Sequence, residues 1–367
     1  MTMRSRIAST LSSKTYVTVL MSAIMFFIIF NLLIWNFFTK ELFSEEEYVR
    51  CDLARIAYAP HSRELRKFSI DLPKRHISFT SYHFEPIDML TVGDSFAEGL
   101  SQGRNPFFQD YIATINNFRV LHLSHSGTGS PLHGENFIDN IHTLLNSGFF
   151  DRVKTRYVLI ESAEKDCIDR FSQKIDRQRV VSLDAYFGWL QNRRNAPEPK
   201  IGCINNGNFK FIFYNLLYNF SDNAFTNSVY KAKLTQDFFS VADPATLLFH
   251  KFDIQHVHRS TPSTVIKLND NLNELAHELL VKGITLVFMP CADKYNLYSE
   301  YIIDNTYPVS SFFESLRKLP KEYVFVDTKA ILSEELKKGV KDVYLADDTH
   351  WSWKAAEKIF TTVRFTN

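Results

Sequence analysis

Hydrophobic and polar positions divide the chain into a long uncharged stretch, a polar passage, and a region where short apolar runs alternate with helical periodicity. The uncharged stretch, "TYVTVLMSAIMFFIIFNLLIWNFFT", runs from Thr15 to Thr39. About 20 apolar residues suffice for a helix to cross a bilayer. Further on, five runs read as strands: "DMLTVGD" (88–94), "FRVLHLSH" (118–125), "TRYVLIES" (155–162), "GITLVFMP" (283–290) and "EYVFVDT" (322–328). They mostly lack polar alternation, which suits parallel strands buried on both faces. Helix-compatible stretches lie between or after them, at 96–116, 133–148, 268–282, 309–318 and 330–338. This rhythm predicts an α/β fold, a three-layer sandwich around a five-stranded parallel sheet with right-handed crossovers. In such sheets functional groups gather at the carboxyl ends of the strands.

Two segments fall outside the rhythm. Residues 40–85 read as a tether and lead-in. Residues 168–265 are too long for one crossover and read as an inserted, mainly helical segment. Within them "FKFIFYNLLYNF" (209–220) is heavily aromatic. It fits an extra helical subdomain packed on the core, or a surface for a polymer or a membrane partner, because exposed aromatic patches mark interaction sites. The expected organisation is therefore a cytoplasmic N-terminus (1–14), a transmembrane anchor (15–39), the lead-in (40–85) and a catalytic domain (86–367) carrying the insertion.

Charge sets the direction of the anchor. Arg4, Arg6 and Lys14 precede the apolar stretch, and Glu45, Glu46 and Glu47 follow it. The positive-inside rule places the N-terminus in the cytoplasm and the rest outside, as in a single-pass inner-membrane protein with a periplasmic or otherwise extracytoplasmic domain. A cleaved signal peptide would have a shorter apolar region and a small-residue cleavage site; here Phe37-Phe38-Thr39-Lys40 follows. The formal net charge of the 367 residues is +1, which gives no electrostatic basis for nucleic-acid binding. The four cysteines, Cys51, Cys167, Cys203 and Cys291, form no C-x-x-C pair, so no zinc site is expected. An exported domain can oxidise its cysteines, and a Cys167–Cys203 bridge is one of the possible pairings. His122, His125, His133 and His142 lie close in sequence but lack metal-ligand spacing, so neither metal nor cofactor is expected.

Two segments carry candidate chemistry. "LTVGDSFAEG" (90–99) places Ser95 where the first run ends and a helix is expected to begin. A helix start there could stabilise negative charge, although Ser and Asp are also common helix caps. "ADDTHWSWKAAEKIF" (346–360) offers His350 with Asp347 and Asp348 just before it, and Ser352 as the cap of a last helix. A carboxylate beside a histidine can hold one imidazole nitrogen and leave the other for a serine. An activated serine needs both partners.

Together these segments resemble the SGNH (GDSL-type) hydrolase superfamily, and within it the alginate O-acetyltransferase-like branch. "VGDSFAEG" is similar to the nucleophile block, "DDTHWS" to the terminal Asp-His block, and "MPCADKYNLYSEY" (289–301) to the Pro-x-Lys-x-x-x-Tyr segment of that branch. The resemblance implies a flavodoxin-like sheet, Ser95 as nucleophile and His350 as general base. It leaves the orienting carboxylate open between Asp348 (D-x-H) and Asp347 (D-x-x-H). It implies oxyanion donors from Ser95 and from Gly127 or Gly129 in "LSHSGTGS" (123–130), which is similar to the second block. The third block departs from the superfamily: instead of Gly-x-Asn-Asp the chain has "ESAEKD" (161–166), whose Glu164-Lys165 resembles an acidic-basic pair of the branch. Lys294, Tyr298 and Trp351 are the expected substrate-binding residues.

The implied activity is O-acetyl transfer through an acyl-serine to hydroxyls of a cell-surface polysaccharide. The implied partner is a multi-pass membrane O-acyltransferase that delivers the acetyl donor. The same triad would serve an acetyl or carbohydrate esterase, and a non-catalytic polysaccharide-binding or assembly subunit is a third possibility.

Overall fold

The computed structural model describes residues 13–43, 51–59, 64–100, 103–125, 129–132, 134–192 and 201–365. Among the described residues eight strands form: β1 (Ile77–Ser78), β2 (Met89–Val92), β3 (Val120–His122), β4 (Tyr157–Ala163), β5 (Val229–Lys233), β6 (Thr246–His250), β7 (Thr285–Cys291) and β8 (Val324–Phe325). Six of them make one sheet in the order β1-β3-β2-β4-β7-β8, and every pairing is parallel. The five apolar runs supply β2, β3, β4, β7 and β8. The sixth strand, β1, lies in the stretch expected to be a lead-in. It is a two-residue edge paired with β3, set among polar residues in "KRHISFT", so it does not read as an apolar run.

Both faces of the sheet are covered, which is why its strands show little alternation. Leu90, Val158, Ile160, Leu286 and Phe288 pack into one core with helices Phe137–Asn146 and Pro262–Val281. Met89, Leu159, Val287 and Met289 pack into the other with helices Phe108–Ile115, Thr328–Lys337 and Trp353–Thr362. Ser352 caps the last of these, its side chain accepting from the Lys354 N–H at 3.2 Å. The strand-to-helix turn expected at Ser95 is different. After β2 the chain makes a single turn, with Glu98 N–H bonded to Asp94 O and Leu100 N–H to Ser95 O, and regular helix begins only at Phe108. No extended helix dipole therefore points at Ser95.

The insertion is less helical than expected. Besides helices Leu183–Asn192 and Asn206–Leu217 it holds the antiparallel pair β5–β6. All four cysteines are free, so Cys167 and Cys203 are not bridged: Cys167 is buried, its thiol facing the carbonyls of Ser162 and Ala163, and Cys203 is exposed. Among the described residues one helical stretch, Lys14–Thr39, is long and apolar enough to cross a membrane; its last turn, Trp35–Thr39, is π-helical.

Candidate active site

The residues that position Ser95 begin with Glu161 in β4. Its carboxyl is fully buried beneath the turn after β2 and accepts the backbone N–H groups of Asp94 (2.8 Å) and Ala97 (3.2 Å) on one oxygen, while the Cys291 thiol donates to the other. Gly93 makes this approach possible. A Cβ there would lie 2.4 Å from the Glu161 oxygen and 2.8 Å from the Ala97 Cβ, distances no side chain tolerates. Burial, reinforced by neighbouring Asp94, pushes the Glu161 pKa well up.

Asp94 turns away from Ser95. It accepts the Ala163 N–H at 2.8 Å and is paired with Arg170, which also donates to Ser162 and pairs with Glu135. Burial works against its charge, but Arg170 and the Ala163 N–H overcome it and lower the pKa. The aspartate of Gly-Asp-Ser is thus a brace between β2 and β4.

The second half of the site is the loop between Tyr344 and Trp351, closed by a bridge between those residues and by Leu345 N–H to His350 O. Lys294, almost fully buried, donates to the carbonyls of Leu345, Ala346 and Asp348 at 2.7, 2.9 and 3.1 Å. Burial lowers its pKa to about 8. The loop delivers His350 so that Nε2 lies 2.8 Å from Ser95 Oγ and Nδ1 lies 2.6 Å from Asp348 Oδ1. Asp348 also accepts the His350 backbone N–H at 3.1 Å. Nδ1–H donating to Asp348 leaves the Nε2 lone pair facing the Ser95 hydroxyl, the arrangement that activates a serine. Of the two aspartates, Asp348 is the one that meets the imidazole. Asp347 points elsewhere, toward Arg66 at 2.8 Å.

Two residues that no motif signalled complete the loop. Arg66, its side chain fully buried, binds Asp347 and also Asp348 at 3.2 Å. Asp52 accepts the Thr349 N–H at 2.8 Å and its hydroxyl as well. Both belong to the stretch read as a lead-in. Its first helix, Asp52–Ala57, is further bound by Ala54 N–H to Asp347 O at 3.0 Å. Burial is the largest influence on His350 and opposes its charge, but Asp348 and Asp52 outweigh it and the pKa is raised. Burial and the charge of Asp52 push Asp348 up to about 6, against His350 and Arg66.

Around Ser95 the remaining expectations divide. Its backbone N–H makes no hydrogen bond among the described residues, so it is available to an oxyanion. Gly127 and His133 lie outside the described residues. Gly129 is in the left-handed region at φ +76° and exposed. The chain leading to it is clamped by Glu98, which accepts the His125 N–H at 3.0 Å and the Ser124 hydroxyl. Burial would raise the Glu98 pKa, but bonds from His122, His125 and Ser124 hold it far below the usual range. Beside this clamp a cavity of about 340 Å³ opens between Val92, Leu123, Phe137, Ile141 and Trp189.

The three expected substrate-binding side chains are all buried within the protein. Lys294 is consumed by the loop carbonyls. The hydroxyl of fully buried Tyr298 accepts the Tyr344 N–H, and Trp351, 2% exposed, packs edge-on against Phe96. All three help to shape the loop that carries His350.

Glu164 and Lys165 separate. Glu164 accepts from the Asp293 N–H and from Asn296, whereas Lys165 faces Asp253 at 3.5 Å. Glu164, His256 and Asp293 bring one ligand atom each within 4.8 Å of one another, the arrangement away from the triad best suited to a cation. His122 bonds to Thr91 and Gln109 and faces Glu98; His142 pairs with Glu278.

Glu161 was legible in principle, because a carboxylate inside a strand buried on both faces must be bonded there. Asp52 and Arg66 carried no such signal. Searches against protein families, curated proteins and solved structures found no match for this chain.

Proposed function

We propose that the chain is a membrane-anchored serine acyltransferase of the SGNH type, which moves an acetyl group onto hydroxyls of an extracytoplasmic polysaccharide. One observation carries the reading: the unbroken line Ser95 Oγ–His350 Nε2, His350 Nδ1–Asp348 at the carboxyl edge of a parallel sheet. His350 takes the Ser95 proton as Oγ attacks the donor's ester carbonyl. The tetrahedral oxyanion is held by the Ser95 N–H and by the glycine-bearing loop after β3. Collapse expels the donor's alcohol, which takes the proton from His350, and leaves acetyl-Ser95. His350 then removes a proton from an acceptor hydroxyl, whose oxygen attacks the ester, and the proton returns to Ser95. Asp348 holds the imidazole in the required tautomer and stabilises its charged form.

The apolar helix anchors the chain in the cytoplasmic membrane with its N-terminus inside. The acetyl donor comes from a multi-pass membrane O-acyltransferase, as the resemblance implies. The test supplies the full chain with an acetyl-ester donor and a glycan, and measures acetylated glycan and free acetate. Acetylated glycan that vanishes with Ser95→Ala supports the reading. Free acetate alone makes the protein an esterase, and glycan binding without turnover makes it a silent subunit.

A further inference from the structure

Helix Asn206–Leu217 belongs to the aromatic run that neither the sheet nor the triad uses. Its Phe209 ring stacks on Phe27 and Phe30, with centroids 5.7 and 4.6 Å apart, and Phe211 stacks on Phe38 at 5.1 Å. Phe27 and Phe30 are not at the edge of the apolar helix. They precede its end at Thr39 by twelve and nine residues, about two to three turns inside. A side chain packed on them lies at the depth of the lipid tails.

The polar groups of this contact are paired with each other. Asn208 donates to Asn31 Oδ1 at 2.8 Å and accepts from Thr39, and all three residues are fully buried. Polar side chains that meet across helices in this way are suited to a lipid surround. Gly207 lets the two elements close: a Cβ there would lie 2.8 Å from the Phe43 ring.

Further along the helix, on the face that begins at Phe209, apolar side chains are bare. Ile212, Phe213 and Leu216, with Phe220 just beyond, share one face by their spacing and are 37 to 82% exposed. Between Ile201 and Phe220 the only charged residue is Lys210, whose ammonium sits over the Tyr58 ring at 5.7 Å. An apolar face of this kind, continuous with rings inside a bilayer-spanning helix, has lipid as its natural solvent.

We propose that helix Asn206–Leu217 and its flank to Phe220 form a second membrane-inserted element, with Ile212, Phe213, Leu216 and Phe220 among the acyl chains of the leaflet that the N-terminal helix leaves. This rests on the anchoring part of the proposed function and not on its chemistry. Asp52 follows the same contact and holds Thr349, so the inserted element fixes the triad beside the lipid surface instead of leaving it on a loose tether. A donor carried at the membrane then reaches Ser95 without release into solution.

The experiment uses the full chain with Cys203→Ser, reconstituted in phosphatidylcholine–phosphatidylglycerol vesicles, and bimane attached at single cysteines. The positions are Phe213→Cys, Leu216→Cys, Phe26→Cys in the spanning helix and Val281→Cys at the exposed end of helix Pro262–Val281. Lipids with a spin label in the acyl chain serve as quenchers. Quenching at Phe213→Cys and Leu216→Cys comparable to that at Phe26→Cys, with none at Val281→Cys, supports the proposal. Quenching at Phe26→Cys alone overturns it, keeps the anchor, and leaves the bare face to a protein partner. No quenching even at Phe26→Cys overturns the anchoring reading and this proposal together.

Discussion

Asp52 accepts both the backbone N–H and the hydroxyl of Thr349, the residue before His350, across 297 positions of chain. The segment that joins the apolar helix to the sheet is therefore part of the base's surroundings. Its carboxylate and that of Asp348 raise the His350 pKa against the effect of burial.

A pH profile reads this directly. The base must be neutral, so turnover rises with pH through the His350 pKa and levels above it. In Asp52→Asn one carboxylate that favours the charged imidazole is gone, its pKa falls, and the acid limb moves to lower pH. An unmoved limb in a folded Asp52→Asn protein removes Asp52 from the electrostatics of the site.

The two aspartates of the loop separate by function. Asp348→Asn places an amide on Nδ1, favours the wrong tautomer, and lowers kcat by about 10³–10⁴. Asp347→Asn leaves the imidazole's partner in place and keeps kcat within about tenfold, at a cost in stability of about 1–3 kcal/mol for the lost charge-assisted bond to Arg66. Initial rates and thermal melts of the two variants check this, and equal losses of kcat contradict the assignment.

Arg66 acts through the fold. Arg66→Met strands Asp347 and Asp348 without their buried cation and costs about 3–5 kcal/mol, read as a fall in melting temperature. Arg66→Lys does not restore it, because a single ammonium cannot span both carboxylates as the guanidinium fork does. A wild-type melt for Arg66→Met would show that the pair contributes nothing.

Gly93→Ala drives a methyl into the Glu161 carboxyl. It displaces the turn that carries Ser95, at a cost of about 1–3 kcal/mol of overpacking and about 10²-fold in activity for a displacement near 1 Å. Glu161→Gln is milder, because an amide oxygen can accept the same two N–H groups. Reporter turnover and melts distinguish them, and an active Gly93→Ala would mean that the turn has slack the distances do not show.

What could be read from the chain followed from how each residue's job is encoded. Strands buried on both faces must be continuously apolar, so β2, β3, β4 and β7 stood out; two-residue β8 lay within a longer apolar run, whereas two-residue β1 lies among polar residues. Ser95 and His350 sit in short local patterns, and these are the side chains the fold brings together. Asp347 and Asp348 are equally near in sequence, so the choice between them needed the loop geometry that Lys294 and Arg66 impose. Lys294, Tyr298 and Trp351 also lie in recognisable patterns, but a pattern does not say whether a side chain faces out or in. Asp52 and Arg66 act through contacts nearly 300 residues away along the chain, and no local spacing encodes that.

The same separation has a consequence in time. Ser95 and His350 are 255 residues apart, and the base comes on the segment synthesised after every strand of the sheet. Until that segment emerges, Ser95 has no imidazole beside it. The Ser95–His350 hydrogen bond forms only when the loop between Tyr344 and Trp351 docks on Asp52 and Arg66, so the site is assembled only after the sheet that carries Ser95.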